Sequence, residues 1–161
     1  MKLNISKKTS DIDRIMEVVE TFGGSPDDLV AIKSYVLKEA QEFGGNRVFF
    51  FYLGDDGKAC AIAQLILNNA DGRSDLANGT SIAHIHGLQV SKSMHRQGIG
   101  IQMMRDVEDY ARKNSISRLT LGVDGDNQKA QSLYEKLSYS LLEKVEGRSP
   151  DVPLFYMYKD L

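Results

Sequence analysis

From residue 95 to residue 100 the chain reads His-Arg-Gln-Gly-Ile-Gly, just after an apolar run that ends Gly87-Leu88-Gln89-Val90. Glycines at 98 and 100 let the backbone approach a bulky anion and take dihedral angles closed to other residues. A helix starting there offers unpaired N–H donors in its first turn, and the helix dipole and Arg96 add to the preference for negative charge. The chemistry of this spacing is a phosphate cradle, with a diphosphate as its natural guest. A plain amphipathic helix that begins after glycines is the competing reading. A Rossmann fingerprint is disfavoured, because Met103 stands where its third glycine belongs and a long segment precedes the motif.

Further along comes Asp126-Asn127-Gln128-Lys129-Ala130-Gln131-Ser132-Leu133-Tyr134-Glu135-Lys136-Leu137-Ser138-Tyr139. Asn127 suits a helix cap or first turn, and Ala130, Leu133, Tyr134 and Leu137 share one helical face. Tyr134 taken alone is a core aromatic, yet a buried phenol still needs a partner for its hydroxyl. All three histidines lie between 84 and 95. His84 and His86 alternate with Ile85, so both side chains point to one face of a strand, and no third ligand at suitable spacing argues for a metal. Either is a hydrogen-bonded structural residue or a base working near neutral pH. The lone Cys60, inside Ala59-Cys60-Ala61-Ile62-Ala63, is expected to be a buried structural thiol with no basic neighbour to activate it.

These residues need elements to hold them. Lys2 to Ile5 suits a short strand. Ser10 caps a helical pattern through Phe22, and Ser25-Pro26 opens a second through Ala40 that stops at Gly44-Gly45. Strands follow at Arg47 to Leu53 and Lys58 to Leu67, joined by the turn Gly54-Asp55-Asp56-Gly57. The Asn-, Asp- and Gly-rich stretch from Asn68 to Gly79 reads as a loop, and Thr80 to Val90 as the next strand. Ile99, Met103, Met104, Val107, Tyr110 and Ala111 recur at a helical period, with Gln102, Arg105, Asp106, Glu108, Asp109 and Arg112 on the polar side. A strand from Arg118 to Val123, a helix from Asn127 to Leu137 and a hairpin of Tyr139 to Val145 with Val152 to Lys159 complete a mixed sheet with helices on its faces.

The sequence has 161 residues, a formal net charge of −2 and one cysteine. That length suits one domain able to bury a core without disulfides. A nearly balanced charge without a basic stripe argues against nucleic-acid binding, and no stretch is long and apolar enough to cross a membrane. A cytoplasmic protein is expected.

Taken together, Leu88-Gln89-Val90, the Gly98-Ile99-Gly100 turn and Asn127-x-x-Ala130-x-x-Leu133-Tyr134-Glu135-Lys136-Leu137 resemble, in order and spacing, the GNAT superfamily of acyl-CoA-dependent N-acetyltransferases. The close match runs from Ala83 to Tyr139. The resemblance implies an α/β (α+β) fold in a single GNAT domain over 1–161. Its mixed central sheet would have about six to seven strands, about four flanking helices, and a splayed, bulged central strand.

The resemblance also implies acetyl-CoA as co-substrate, with no metal. Leu88, Gln89 and Val90 would pair with its pantetheine arm through their backbone. His95, Arg96, Gln97, Gly98, Ile99, Gly100 and Ile101 would hold the diphosphate. Asn127 would bond the pantetheine, Ala130 would line its path, and Tyr134 would be the general acid that protonates the departing thiolate. Some members carry a glutamate where this chain has His84, which makes His84 the first candidate for general base. His86 is the second candidate, and a reaction without a dedicated base is the third option. His95 stands in place of Arg or Gln, Ser138 in place of glycine and Tyr139 in place of Phe.

The implied activity is direct transfer of an acetyl group to a primary amine of a small molecule or peptide, by a monomer or homodimer. A catalytically silent acyl-CoA-binding sensor is the alternative, disfavoured by the presence of both Tyr134 and Asn127. Thr21 to Gly45 and Asn68 to Gly79 are the segments expected to select the acceptor.

Overall fold

The computed structural model describes residues 1–6 and 45–161, with the isolated helical positions Val30, Ser34 and Lys38. The two helices expected between Ser10 and Gly44 lie outside the described residues, as does most of the first acceptor-selecting segment. The described chain gathers into two compact units, residues 1–65 with 87–107, and residues 66–86 with 108–161.

In the first unit β1 (Lys2–Ser6) pairs antiparallel with β2 (Arg47–Leu53), placing Leu3 opposite Tyr52 and Ile5 opposite Phe50. β2 turns into β3 (Ala59–Ile66) through Gly54 to Gly57, where the Gly54 N–H donates to the Lys58 carbonyl at 2.8 Å. Phe49, Phe50 and Phe51 are each 2% exposed or less. Successive strand residues face opposite ways, so three buried phenylalanines in a row mean that both faces of β2 are covered. β6 (Ile82–Val90) bends at Gly87, whose φ is +63°, and a Cβ there would stand 3.2 Å from Gln64 Nε2. A left-handed φ inside a strand together with so close a neighbour favours glycine. A 3₁₀ turn at Lys92–Met94 then leads to α1 (Ile99–Lys113), which buries Met103, Met104 and Val107 completely.

The second unit corrects one expectation. Asn68 to Gly79 is no loop: β4 (Asn68–Ala70) and β5 (Arg73–Asn78) form an antiparallel ribbon with Ala70 opposite Arg73. Its two-residue turn is Asp71-Gly72, with φ of +52° and +72°, the doubly positive geometry that a tight hairpin needs. The polar flanks hid that turn signal. β6 runs parallel to β7 (Arg118–Asp124), and β7 pairs along its length with β9 (Val152–Asp160), from Arg118 opposite Asp160 to Asp124 opposite Leu154. β9 pairs in turn with β8 (Ser140–Ser149), and α2 (Gln128–Lys136) precedes that hairpin. Ile66, Ala70, Leu76, Ala77 and Tyr156 form a core backed by Val145 and Leu154.

Neighbouring strands run β1-β2-β3-β6 and β6-β7-β9-β8, so seven strands make one mixed sheet, while β4 and β5 stand apart from it. Gly87, at positive φ, immediately precedes Leu88 to Val90, the stretch expected to bulge. The expected parting of the central strands appears in the ladder, for β6 and β7 pair only from Ile82↔Arg118 to Ile85↔Leu121 although β7 continues to Asp124. Two α-helices are present among the described residues, and neither is long and apolar enough to cross a membrane.

Candidate active site

The cradle motif sits where a strand, a 3₁₀ turn and a helix start follow one another. Gly98 has φ of +77°, and nothing lies within 4 Å of where its Cβ would be. Its carbonyl accepts the Gln102 N–H at 3.0 Å, so Gly98 caps α1. Among the described residues the N–H groups of Ile99, Gly100 and Ile101 have no acceptor. They are the donors a helix start leaves over, and they favour an anion. Arg96, exposed and at φ of +63°, makes no ion pair among the described residues. His95 Nε2 is 2.8 Å from the Val90 carbonyl oxygen. A carbonyl only accepts, so Nε2 carries the proton and the ring ties the turn to the end of β6. Gln97 donates to the Ser93 carbonyl at 3.2 Å. None of these side-chain bonds touches the free amides, so His95 in place of Arg or Gln leaves the backbone donors intact. Just upstream on β6, Leu88 and Val90 are half-buried and Gln89 is exposed, all three beyond the last residue paired with β7.

In the second unit Asn127 is the N-cap of α2, its side-chain oxygen accepting the Ala130 N–H at 3.1 Å. Ala130 is half-buried. Tyr134 is the one buried residue of that helix, and its hydroxyl has no hydrogen-bond partner among the described residues. Burial pushes its pKa up to about 12, so the phenol keeps its proton at neutral pH. Tyr139 meets the Tyr134 ring edge to face at 6.1 Å.

His84 is 3% exposed, and His86 is half-buried on the same strand. His84 Nδ1 is 2.8 Å from the Thr120 hydroxyl, which itself donates to the Leu76 carbonyl at 2.7 Å. The Tyr156 ring stands edge-on to the His84 imidazole at 6.2 Å. Tyr156 donates to Asp71 at 2.7 Å, anchoring the tip of the β4–β5 hairpin.

Two polar residues of the second unit, Glu108 and Thr120, are buried although the sequence did not mark them so, and Cys60 in the first unit departs from its expected burial. Glu108, assigned to the polar side of its helix, is 4% exposed, because Lys159 on β9 meets its carboxylate at 2.8 Å. Thr120 is fully buried, and a threonine inside a strand gives no sequence signal beyond strand propensity. Cys60 is half-buried rather than buried, its thiol 3.4 Å from the Tyr52 carbonyl, and burial raises its pKa. Among the described residues no three His, Cys, Asp or Glu side chains cluster as metal ligands would.

Comparison with known proteins shows the family. The model of the acetyltransferase (GNAT) family matches residues 15–139. An uncharacterized N-acetyltransferase of Lactobacillus delbrueckii subsp. lactis is 30% identical over 121 residues, covering 71% of this chain and 68% of that protein. An aminoglycoside N(6′)-acetyltransferase type 1 of Serratia marcescens is 26% identical over 125 residues, covering 76% of this chain and 79% of its own length. The crystal structure of an aminoglycoside 6′-N-acetyltransferase complexed with coenzyme A superposes with a TM-score of 0.75 at 14% identity, over 99% of this chain and 97% of that one. At that identity the likeness concerns the fold.

Proposed function

We propose that this chain, which belongs to the acetyltransferase (GNAT) family, is a single-domain, cytoplasmic enzyme that moves the acetyl group of acetyl-CoA to a primary amine of a small molecule or peptide. The observation that carries the reading is the start of α1: three N–H groups without an acceptor and an Arg96 without an ion pair among the described residues, beside an open Gly98, fit a diphosphate. A solved structural neighbour that holds coenzyme A supports it.

His95, Arg96, Gln97, Gly98, Ile99, Gly100 and Ile101 would hold the diphosphate, and the backbone of Leu88, Gln89 and Val90 the pantetheine arm. With its oxygen turned to the cap, the Asn127 amide keeps its two N–H donors on the other side, and these suit a pantetheine carbonyl. Ala130 would line the pantetheine. Acetyl-CoA supplies the activated thioester carbonyl. As the amine nitrogen forms its bond to that carbon and the C–S bond breaks, His84 accepts the nitrogen's proton and Tyr134 gives its own to the thiolate. Solvent returns a proton to Tyr134 and removes one from His84, leaving an amide and a free thiol.

The test is release of free thiol from acetyl-CoA in the presence of polyamines, amino acids, aminoglycosides and peptides. Turnover with at least one amine class is expected. Tight binding of acetyl-CoA with no turnover on any acceptor would support a silent acyl-CoA sensor instead.

A further inference from the structure

We propose that Thr120 is a positioning residue that fixes the tautomer of His84, holding the ring proton on Nδ1 and leaving the lone pair on Nε2. Its catalytic consequence rests on the reading of His84 as base, whereas the tautomer itself does not.

The argument is a count of protons. Thr120 lies directly opposite His84 in the β6–β7 ladder. Its Oγ1 is 2.7 Å from the Leu76 carbonyl oxygen and 2.8 Å from His84 Nδ1. A hydroxyl owns one hydrogen, and a carbonyl oxygen can only accept. The threonine hydrogen therefore goes to Leu76, and the second contact is a hydrogen bond only if Nδ1 supplies the proton. Thr120 is 0% exposed and His84 3%, so leaving either group unmatched carries the full cost of a buried polar atom without a partner. The ring has little room to escape that choice. Rotating it by half a turn would put a carbon against Oγ1, and the edge-on Tyr156 ring packs beside it. The β-branched Thr120 side chain is stiff about χ1, which holds both bonds on one oxygen.

An unconstrained neutral histidine side chain prefers its proton on Nε2, where it would block the nitrogen that has to accept. Thr120 reverses that preference before any substrate arrives. The proton taken from an amine then enters at Nε2, while Nδ1–H keeps its bond and orients the imidazolium.

Nitrogen-15 spectra of the three histidines test this on the uniformly labelled protein, at a pH where the rings are neutral. His84 is expected to show a protonated Nδ1 and an unprotonated Nε2. His95 serves as an internal control of opposite tautomer, since its Nε2 donates to Val90. Thr120→Val removes the acceptor and should return His84 toward the Nε2–H form. It should also lower kcat at least tenfold, with KM for acetyl-CoA within a few-fold. Thr120→Ser should restore both the spectrum and kcat.

A wild-type His84 protonated on Nε2 overturns the proposal, and so does a Thr120→Val spectrum with the tautomer unchanged. The wild-type spectrum decides even if Thr120→Val does not fold. If His84→Gln leaves kcat unchanged, the base reading fails on its own, and the spectrum still decides the role of Thr120.

Discussion

Lys159 places its ammonium 2.8 Å from Oε2 of Glu108, while the other oxygen of that carboxylate is buried and has no hydrogen-bond partner among the described residues. Arg112 adds a longer contact to Oε2, at 3.5 Å. The pair is thus half satisfied, and its loss is felt through the charge left behind. Lys159→Met should destabilise the protein by about 2–3 kcal/mol, because removing one partner of a buried pair leaves an uncompensated ion that Arg112 only partly offsets. Adding Glu108→Leu should recover at least half of that. Urea unfolding of the single and double variants measures it, and a double variant no better than Lys159→Met would show that the buried carboxylate is not the source of the loss.

Tyr134→Phe removes the hydroxyl of the one buried residue of α2, a hydroxyl with no hydrogen-bond partner among the described residues. Acetyl-CoA affinity should stay within a few-fold while kcat falls by roughly ten- to a thousandfold, since the proton matters only as the thiolate departs. Steady-state kinetics beside calorimetry separate the two effects. Wild-type turnover in the variant would end the acid assignment.

Four of the seven tyrosines should protect the fold against ionisation. Burial leads the causes in each case, joined by Asp106 at Tyr52, Glu108 at Tyr139 and Asp71 at Tyr156. Tyr134 and Tyr156 are pushed up to about 12, and Tyr52 and Tyr139 further still. An unfolded phenol ionises near pH 10, so above that point the unfolded chain holds fewer protons than the folded one. The contribution is complete below pH 10 and is lost as pH rises through 12. Urea midpoints should therefore fall between pH 9 and pH 11.5, and part of the phenolate absorbance should appear only with unfolding. Seven tyrosines titrating together near pH 10 in a still-folded protein would contradict this.

Gly100→Val should weaken acetyl-CoA at least tenfold, about 1.4 kcal/mol, by setting a branched side chain beside the free amides of the first turn. Gly98→Ala probes a different property. No atom crowds its Cβ, yet its φ of +77° makes an L-residue costly by about 1–2 kcal/mol. Calorimetry on folded variants should find the larger affinity loss at Gly100. Unchanged affinity there would remove the cradle from the binding site.

What the sequence made legible was local. Gly87 and Gly98 announce positive φ, Asn127 announces a cap, and the spacing around Tyr134 announces its burial, because each signal lies within a few residues of its effect. The β4–β5 ribbon escaped because Asp71-Gly72 is flanked by polar residues without strand alternation. Glu108 reads as a solvated helix residue until Lys159, distant in sequence, arrives beside it. Thr120 acquires meaning only through two partners, Leu76 and His84, that no spacing rule connects.

The carbonyl that settles where the Thr120 proton goes belongs to Leu76, in the middle of β5. It is a main-chain atom, so no side-chain substitution deletes it. A single-residue insertion or deletion in the ribbon can move it out of reach, however, and that turns an ordinary protein-engineering step into a hidden one. Anyone grafting a new 68–79 segment to alter acceptor choice would also be rewriting the protonation pattern of His84, and a graft that binds its amine well yet turns over slowly should be checked for strand register before its contacts are blamed.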